Sequence, residues 1–380
     1  MIKEKVLKNL IAFEKKNFPV TSAYFQSSNS TGNRKSHIVE LKKMIRYKKN
    51  TTYFKQLSED EQHSVLEDFD RILKWFRDEF DSSKFLSSIC FSSQDAGLWQ
   101  TINLKQPLKN ELVIQPKPYI RPLTTLFSTY RNYAVVLVDK TKARIIESRL
   151  GKNIEHFYTE NNSPESIKVG GFKGREERRV ERNIHQAVIR HYKQIAQQIF
   201  DLNQKFNFNW IILGGRKETL SEFQKHLHDY VASKVQGKIY VEPSAALNDV
   251  LERVMLTEEK AREKFERNLL KELNDKKQIN QGVEGIQAVL FAIGKNLIKT
   301  LIIQENYKTK GVFCRNSGYL GLSPSNKCPQ ANEQMERTND IVEHLLHLCL
   351  AQGVNIEYIK ASMSEFGNIA AILRYPISGS

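Results

Sequence analysis

Apolar residues recur at helical spacing through Val65, Phe69, Ile72, Leu73, Phe76 and Phe80, which predicts an amphipathic helix with an aromatic core face. Ser58 with Glu61 three residues on has the spacing of a capping box and marks where that helix starts. A basic helix is predicted before it, from His37 to Lys49. Phe85 to Phe91 and Gly97 to Leu104 predict two strands separated by the polar turn Ser92 to Asp95. Pro107, Pro116, Pro118 and Pro122 then break the pattern and mark a boundary region. A new alternation begins at Tyr133, where Ala134 to Val138 and Ala143 to Ser148 predict a hairpin turning at Asp139 to Lys142.

Beyond the hairpin, Val169 to Lys193 opens with Gly170, Gly171 and Gly174 and continues into a long helix ending near Phe200. At 100° per residue Arg175, Arg178, Arg179 and Arg182 cluster on one face, while Val180, Ile184, Val188, Ile195 and Ile199 fall on roughly the opposite one. Asn209 to Leu213 predicts a strand, Glu218 to Lys234 an amphipathic helix and Lys238 to Val241 another strand, an order that implies a parallel crossover. Gly214 and Gly215 lack the Lys-Ser/Thr of a phosphate loop and fit a tight turn. Leu247 to Asn274 predicts a charged connecting helix. In the last hundred residues Val283 to Gly294 and Asp340 to Ala351 predict helices, and Thr300 to Gln304 and Ile369 to Arg374 strands. The expected fold class is α/β in three domains: an α+β domain over 1–130, a mixed-sheet middle domain over 131–276 and a C-terminal α/β sandwich over 277–380.

Charge narrows the function classes. The chain has 380 residues, is 40% hydrophobic and carries a formal charge of +15. That charge favours an anionic partner such as nucleic acid over a small neutral substrate. Lysine and glutamate interrupt every apolar run at the N-terminus, and no run reaches the ~18 residues of a membrane span, so neither a signal peptide nor a membrane partner is expected. With only four cysteines, a reducing cytoplasm is the expected compartment.

Candidate chemistry is sparse. Four guanidinium groups on one helix face repel one another, a cost that a polyanion lying along them removes; a solvated helix behind a loop is the plainer alternative. Cys314 and Cys328 resemble half of a zinc ribbon, with Ser317 and Ala331 where the second thiolate of each pair would stand, so no metal is expected at this degenerate knuckle. Cys349 fits a core helix position. His185 and His191 lie on the arginine helix, but no nucleophile or carboxylate is placed by the sequence to work with them. There is no HExxH, GxSxG or kinase set, and no cofactor is expected.

The order of parts then becomes recognisable. SQDAGLWQTINLKQPLKNELVIQPKPYIRPL (Ser93 to Leu123), YAVVLVDKTKARIIE (Tyr133 to Glu147), the glycine stretch with its basic helix, WIILGG (Trp210 to Gly215), and AVLFAIGKNLIKTLII, DIVEHLLHLCLAQGVNIEYI and GNIAAILRY further on resemble the bacterial branch of the archaeo-eukaryotic class-one release factor superfamily. The resemblance implies a ribosome-associated protein whose middle domain reaches toward the peptidyl-transferase centre, contacting ribosomal RNA and tRNA, with a last domain that docks on a translational GTPase. In the release factors a Gly-Gly-Gln at the middle-domain tip positions water against the peptidyl-tRNA ester. Here Gly170 and Gly171 are followed by Phe172, whose ring cannot hydrogen-bond a water as an amide does. The family also contains Pelota-like rescue proteins and the hibernation factor Balon, which occupies the A site without releasing peptide.

The expectation is therefore A-site binding in rescue or hibernation without peptide release, with Gly170, Gly171, Phe172, Lys173, Gly174, Arg175, Arg178, Arg179 and Arg182 contacting RNA. Gly170 and Gly171 are the candidate catalytic positions should release occur. The alternatives are a peptidyl-tRNA hydrolase and a general RNA-binding protein.

Overall fold

The computed structural model describes residues 6, 9–13, 18–27, 34–150, 152–160, 175–314, 316–323, 327–331 and 333–377. The chain divides into two compact units, Met1–Thr129 with Leu269–Ser380, and Tyr130–Asn268. Together they form a mixed α/β fold built on several sheets.

The first part of unit 1 comprises β1 (Val20–Gln26), α1 (Arg34–Lys49), α2 (Thr52–Gln56), α3 (Glu59–Asp78), β2 (Ser87–Ser93), β3 (Leu98–Leu104), β4 (Glu111–Gln115) and α4 (Arg121–Thr129). Its antiparallel sheet runs in the order β3-β2-β1-β4. The capping box forms as expected: Glu61 N donates to Ser58 Oγ at 3.3 Å, and Ser58 N donates to Glu61 Oε2 at 2.9 Å. Val65, Phe69, Ile72 and Phe76 then pack with Ala23, Phe25 and Cys90 of the sheet. Phe80 joins the same core from just beyond the helix end.

Between α3 and the sheet lies one buried acid. Asp68 Oδ1 accepts from Ser92 Oγ at 2.6 Å and from Gln94 N at 2.9 Å, while Oδ2 has no hydrogen-bond partner among the described residues. Burial raises this carboxyl from 3.8 to about 6, against the opposing pull of those bonds. A raised carboxylate pKa makes the fold most stable below the unfolded value, and that stability is lost as pH rises through the folded value. Two pKa units correspond to about 3 kcal/mol. Asp68→Asn keeps the two bonds to Oδ1 and cannot ionise. Denaturant titrations should show its stability flat between about pH 4 and about pH 6, where the wild type declines, and higher than wild type at neutral pH.

Unit 2 contains β5 (Tyr133–Val138), β6 (Lys142–Arg149), β7 (Lys152–Glu160), α5 (Arg175–Phe206), β8 (Trp210–Gly214), α6 (Lys217–Phe223), α7 (Asp229–Ala232), β9 (Val235–Ile239) and α8 (Leu247–Gln278), whose last turns continue into unit 1. The sheet order is β7-β6-β5-β8-β9. β5 and β6 form the expected antiparallel hairpin, and β8 pairs in parallel with both β5 and β9. Side chains of β5 alternate between the two faces. Ala134, Val136 and Val138 pack in one core with Tyr192, Ile195 and Ile199 of α5, whereas Val135 and Leu137 pack in another with Val250, Val254 and Ala261 of α8.

One predicted helix is corrected. Glu218 to Lys234 is not continuous: α6 ends at Phe223, a 3-10 turn covers Gln224–His226, and Leu227 is extended before α7. The His228 imidazole accepts from Tyr230 N at 3.2 Å and packs on Phe200 with ring centroids 4.7 Å apart, a local bond and a tertiary contact that compete with an unbroken helix. The Gly214–Gly215 pair makes a tight strand end. Gly215 has φ +149, and a Cβ there would lie 2.3 Å from Val138 O, so the close approach requires glycine.

The second part of unit 1 contains β10 (Gly282–Glu284), α9 (Gly285–Gly294), β11 (Ile298–Gln304), β12 (Gly311–Phe313), β13 (Leu320–Gly321), β14 (Glu336–Thr338), α10 (Ile341–Ala351), β15 (Asn355–Ile359) and β16 (Ile369–Leu373). The main sheet is ordered β10-β16-β11-β15, and β13-β12-β14 form a smaller one. Val283 was expected in a helix. It instead pairs with Ala371 as part of β10, and the helix begins only at Gly285, which turns the chain at φ +76. No helix among the described residues is long and apolar enough to cross a membrane.

Candidate nucleic-acid interface

Helix α5 is held at one end and exposed at the other. From Val188 onward its apolar side enters the core of unit 2, with Tyr192, Ile195 and Ile199 nearly inaccessible. Among the described residues of the helix before Val188 none joins that core, and most of them are polar and exposed. Val180 and Ile184 are half-buried, as expected of the side opposite the arginines.

Arg179 and Arg182 are exposed on this segment. Arg175 and Arg178 occupy its first turn, where the backbone is helical and the side chains lie outside the described residues. Gly170, Gly171, Phe172, Lys173 and Gly174 also lie outside them. Glu181 falls roughly 100° round the helix from Arg182 and roughly 60° from Arg178, at the edge of the basic face. The exposed side chains of Arg190 and Lys193 prolong the basic face. Counted from Arg182 they return to within roughly 80° and 20° of it, the same periodicity that marks the four arginines and the signal by which they are recognisable in the sequence.

The two histidines part company. His185 is exposed, whereas His191 is 3% exposed beside the β5–β6 turn. Burial holds the His191 imidazole below its ordinary value, opposed by the Lys142 backbone and by Asp139. A side chain so enclosed packs the helix onto the hairpin and is out of reach of an external substrate.

The cysteine knuckle lies in unit 1, on the loops of the small sheet. Cys314 and Cys328 are both buried there. Ser317 Oγ stands 3.1 Å from Cys328 Sγ, in the place of a third thiolate, and Cys314 Sγ lies 3.8 Å from Glu333 Oε2. Burial pushes the Cys328 thiol up, but bonds from the Ser317 hydroxyl, the Gln330 amide, Cys314 and the Ala331 amide outweigh it and hold the thiol below its usual value. Among the described residues no group of three or more histidine, cysteine, aspartate or glutamate side chains is arranged to hold a metal ion. Cys349, on α10, is fully buried, and burial pushes its thiol up.

What the arrangement offers is a long, firmly packed helix that carries a cationic face beyond its own core. Residues 118–259 match the model of the bacterial archaeo-eukaryotic release factor family 10. That segment is similar to the release-factor family. It contains the hairpin, the glycine stretch, all of α5 and the β8–α6–β9 crossover. Peptide chain release factor subunit 1 of Methanocaldococcus jannaschii is 26% identical over 300 residues, which cover 68% of this chain and 69% of that protein. Protein YocB of Bacillus subtilis is 25% identical over 161 residues, 40% of this chain and 61% of that one. Among solved structures, the S. cerevisiae translation termination-like factor Dom34 aligns over 79% of this chain and 83% of its own, at 11% identity and TM-score 0.42. The segment that matches the family model largely coincides with unit 2.

Proposed function

We propose that this protein binds the A site of the cytoplasmic ribosome through the arginine face of α5 and acts in rescue or hibernation without promoting peptide release. The observation that carries this reading is the cationic stretch of α5 projecting from a segment similar to the release-factor family. Guanidinium groups suit such a role because phosphate contacts fix position and orientation on RNA without needing a reactive group. The similarity to an archaeal protein named for peptide chain release supports a place in translation. Phe172 after Gly170 and Gly171 argues against hydrolysis: catalysis of ester cleavage needs a polar group held against the attacking water, and binding does not.

Purified protein added to ribosomes carrying labelled peptidyl-tRNA is expected to leave the ester intact at concentrations that saturate binding. Freed peptide, abolished by substitution of Gly171, would instead establish a peptidyl-tRNA hydrolase. Equal affinity for ribosomes and for an unrelated structured RNA would reduce the protein to a general RNA binder.

A further inference from the structure

The exposed part of α5 carries a second surface, of opposite sign. Glu181, Ile184, His185, Val188, Ile189 and Tyr192 follow one another at i, i+3, i+4, i+7, i+8 and i+11 and line one side of an open groove of about 340 Å³. Across it stand Glu218, Thr219 and Glu222 of α6. The floor is apolar. Ile184 and Ile189 are half-buried but, unlike Val188, do not pack against the unit 2 core, so among the described residues this part of the helix's apolar seam lacks a cover.

The rim is acidic, on a chain whose formal charge is +15. Glu181 and Glu218 are exposed; Glu222 is half-buried and pairs with Lys225 at 2.7 Å, an exposed contact of small energetic weight. Lys140 also lines the groove.

We propose that this groove docks a basic protein segment, with one or two aliphatic anchors on the Ile184–Ile189 floor and lysines or arginines against Glu181, Glu218 and Glu222. RNA fits the groove poorly. The rim repels phosphate, and the Tyr192 ring on the floor is only 2% exposed and gives bases no face to stack on. The stripe from Glu181 to Tyr192 rises roughly 16 Å, the length of three turns of a bound helix. It lies roughly a quarter-turn round α5 from the arginine face. A partner surface composed of RNA beside basic protein therefore meets matching chemistry on adjacent sides of one helix, and in this respect the inference rests on the ribosomal reading above.

The test uses the full chain and a variant carrying Glu181→Gln, Glu218→Gln and Glu222→Gln. Fluorescence anisotropy with a labelled amphipathic peptide of lysine and leucine should show binding to the wild type, about tenfold weaker binding to the variant, and none for the same peptide with glutamate in place of lysine. Equal affinity of wild type and variant for the lysine peptide would overturn the proposal. Sedimentation with ribosomes supplies an independent sign. The substitutions remove three negative charges, so contact with RNA alone makes the variant bind more tightly, whereas docking of a basic segment makes it bind more weakly. Tighter or unchanged ribosome binding by the variant would contradict the groove proposal. Failure of the wild type itself to bind ribosomes would sink the ribosomal reading and leave the peptide measurement to judge the groove.

Discussion

Alanine at Arg175, Arg178, Arg179 and Arg182 together should weaken ribosome binding on the order of a thousandfold, if each guanidinium contributes about 1 kcal/mol net through a charge-assisted bond to phosphate. The salt dependence should change with it. Each phosphate contact contributes about 0.7 to 0.9 to the slope of log affinity against log salt, so the variant's slope should be shallower by about 3. Folding should be unaffected, because alanine is the best helix former and the apolar side of α5 that enters the core is untouched. Unchanged affinity in a folded variant, measured by filter binding or sedimentation over a salt series, would show the arginine face to be ordinary solvated surface. Arg190 and Lys193 lie on the same face, and a matching loss on their substitution would extend the footprint along the helix.

The second large effect concerns stability. Arg121, at the start of α4, is 5% exposed, forms an ion pair with Asp340 and donates to Tyr307 O. Glu343 accepts from Ile120 N at 2.8 Å and from Arg121 N at 3.2 Å, and His347 Nε2 sits 2.9 Å from Pro118 O. One arginine thus stands among buried carboxylates where the two parts of unit 1 join. Removing one member of a buried ion pair leaves the other charged without compensation, which costs about 3–5 kcal/mol, so Arg121→Ala should destabilise unit 1 by about that amount. The pH dependence has a definite sign. Burial already raises the Asp340 pKa, with Arg121 opposing it, so loss of the arginine raises it further. A raised carboxylate pKa contributes stability that is lost as pH rises through the folded value, so the variant's deficit should be largest at neutral pH and shrink on acidification through the raised Asp340 pKa. Trp75 and Trp99 report on unit 1 and Trp210 on unit 2, so denaturant curves in a Trp210→Phe background isolate the effect. A loss under about 1 kcal/mol would mean that the network contributes no more than an exposed pair.

How far each feature can be read from the sequence follows from whether its physics is local. The capping box at Ser58, the aromatic stripe of α3 and the β5–β6 hairpin rest on neighbours within one or two turns, and the residue spacing carries them. β1 is different: every residue from Val20 to Phe25 is buried, so both faces are covered and no alternation marks a strand. β4 is five residues long and set among prolines, and it is stabilised by pairing with β1, a partner some ninety residues away. The break between α6 and α7 depends on a contact between His228 and Phe200 that no local pattern announces.

The same division runs through the site. The arginine face is periodic and therefore visible. Burial of His191 against the hairpin is tertiary, as is the role of Arg121, whose surroundings in the sequence are prolines and whose ionic partner, Asp340, caps α10. Glu181 within a basic run looks like simple charge balance until α6 brings Glu218 and Glu222 opposite it. The fold class and the cationic helix were accordingly legible, and the acidic groove beside it was not.

Ribosome binding by the cationic face of α5 is what the proposed function requires above all. Sedimentation of the purified protein with ribosomes through sucrose tests it most directly. The protein should travel with ribosomes at low salt, be displaced by a factor occupying the A site, and dissociate steeply between about 50 and 200 mM salt. A protein that stays at the top of the gradient at low salt would contradict it.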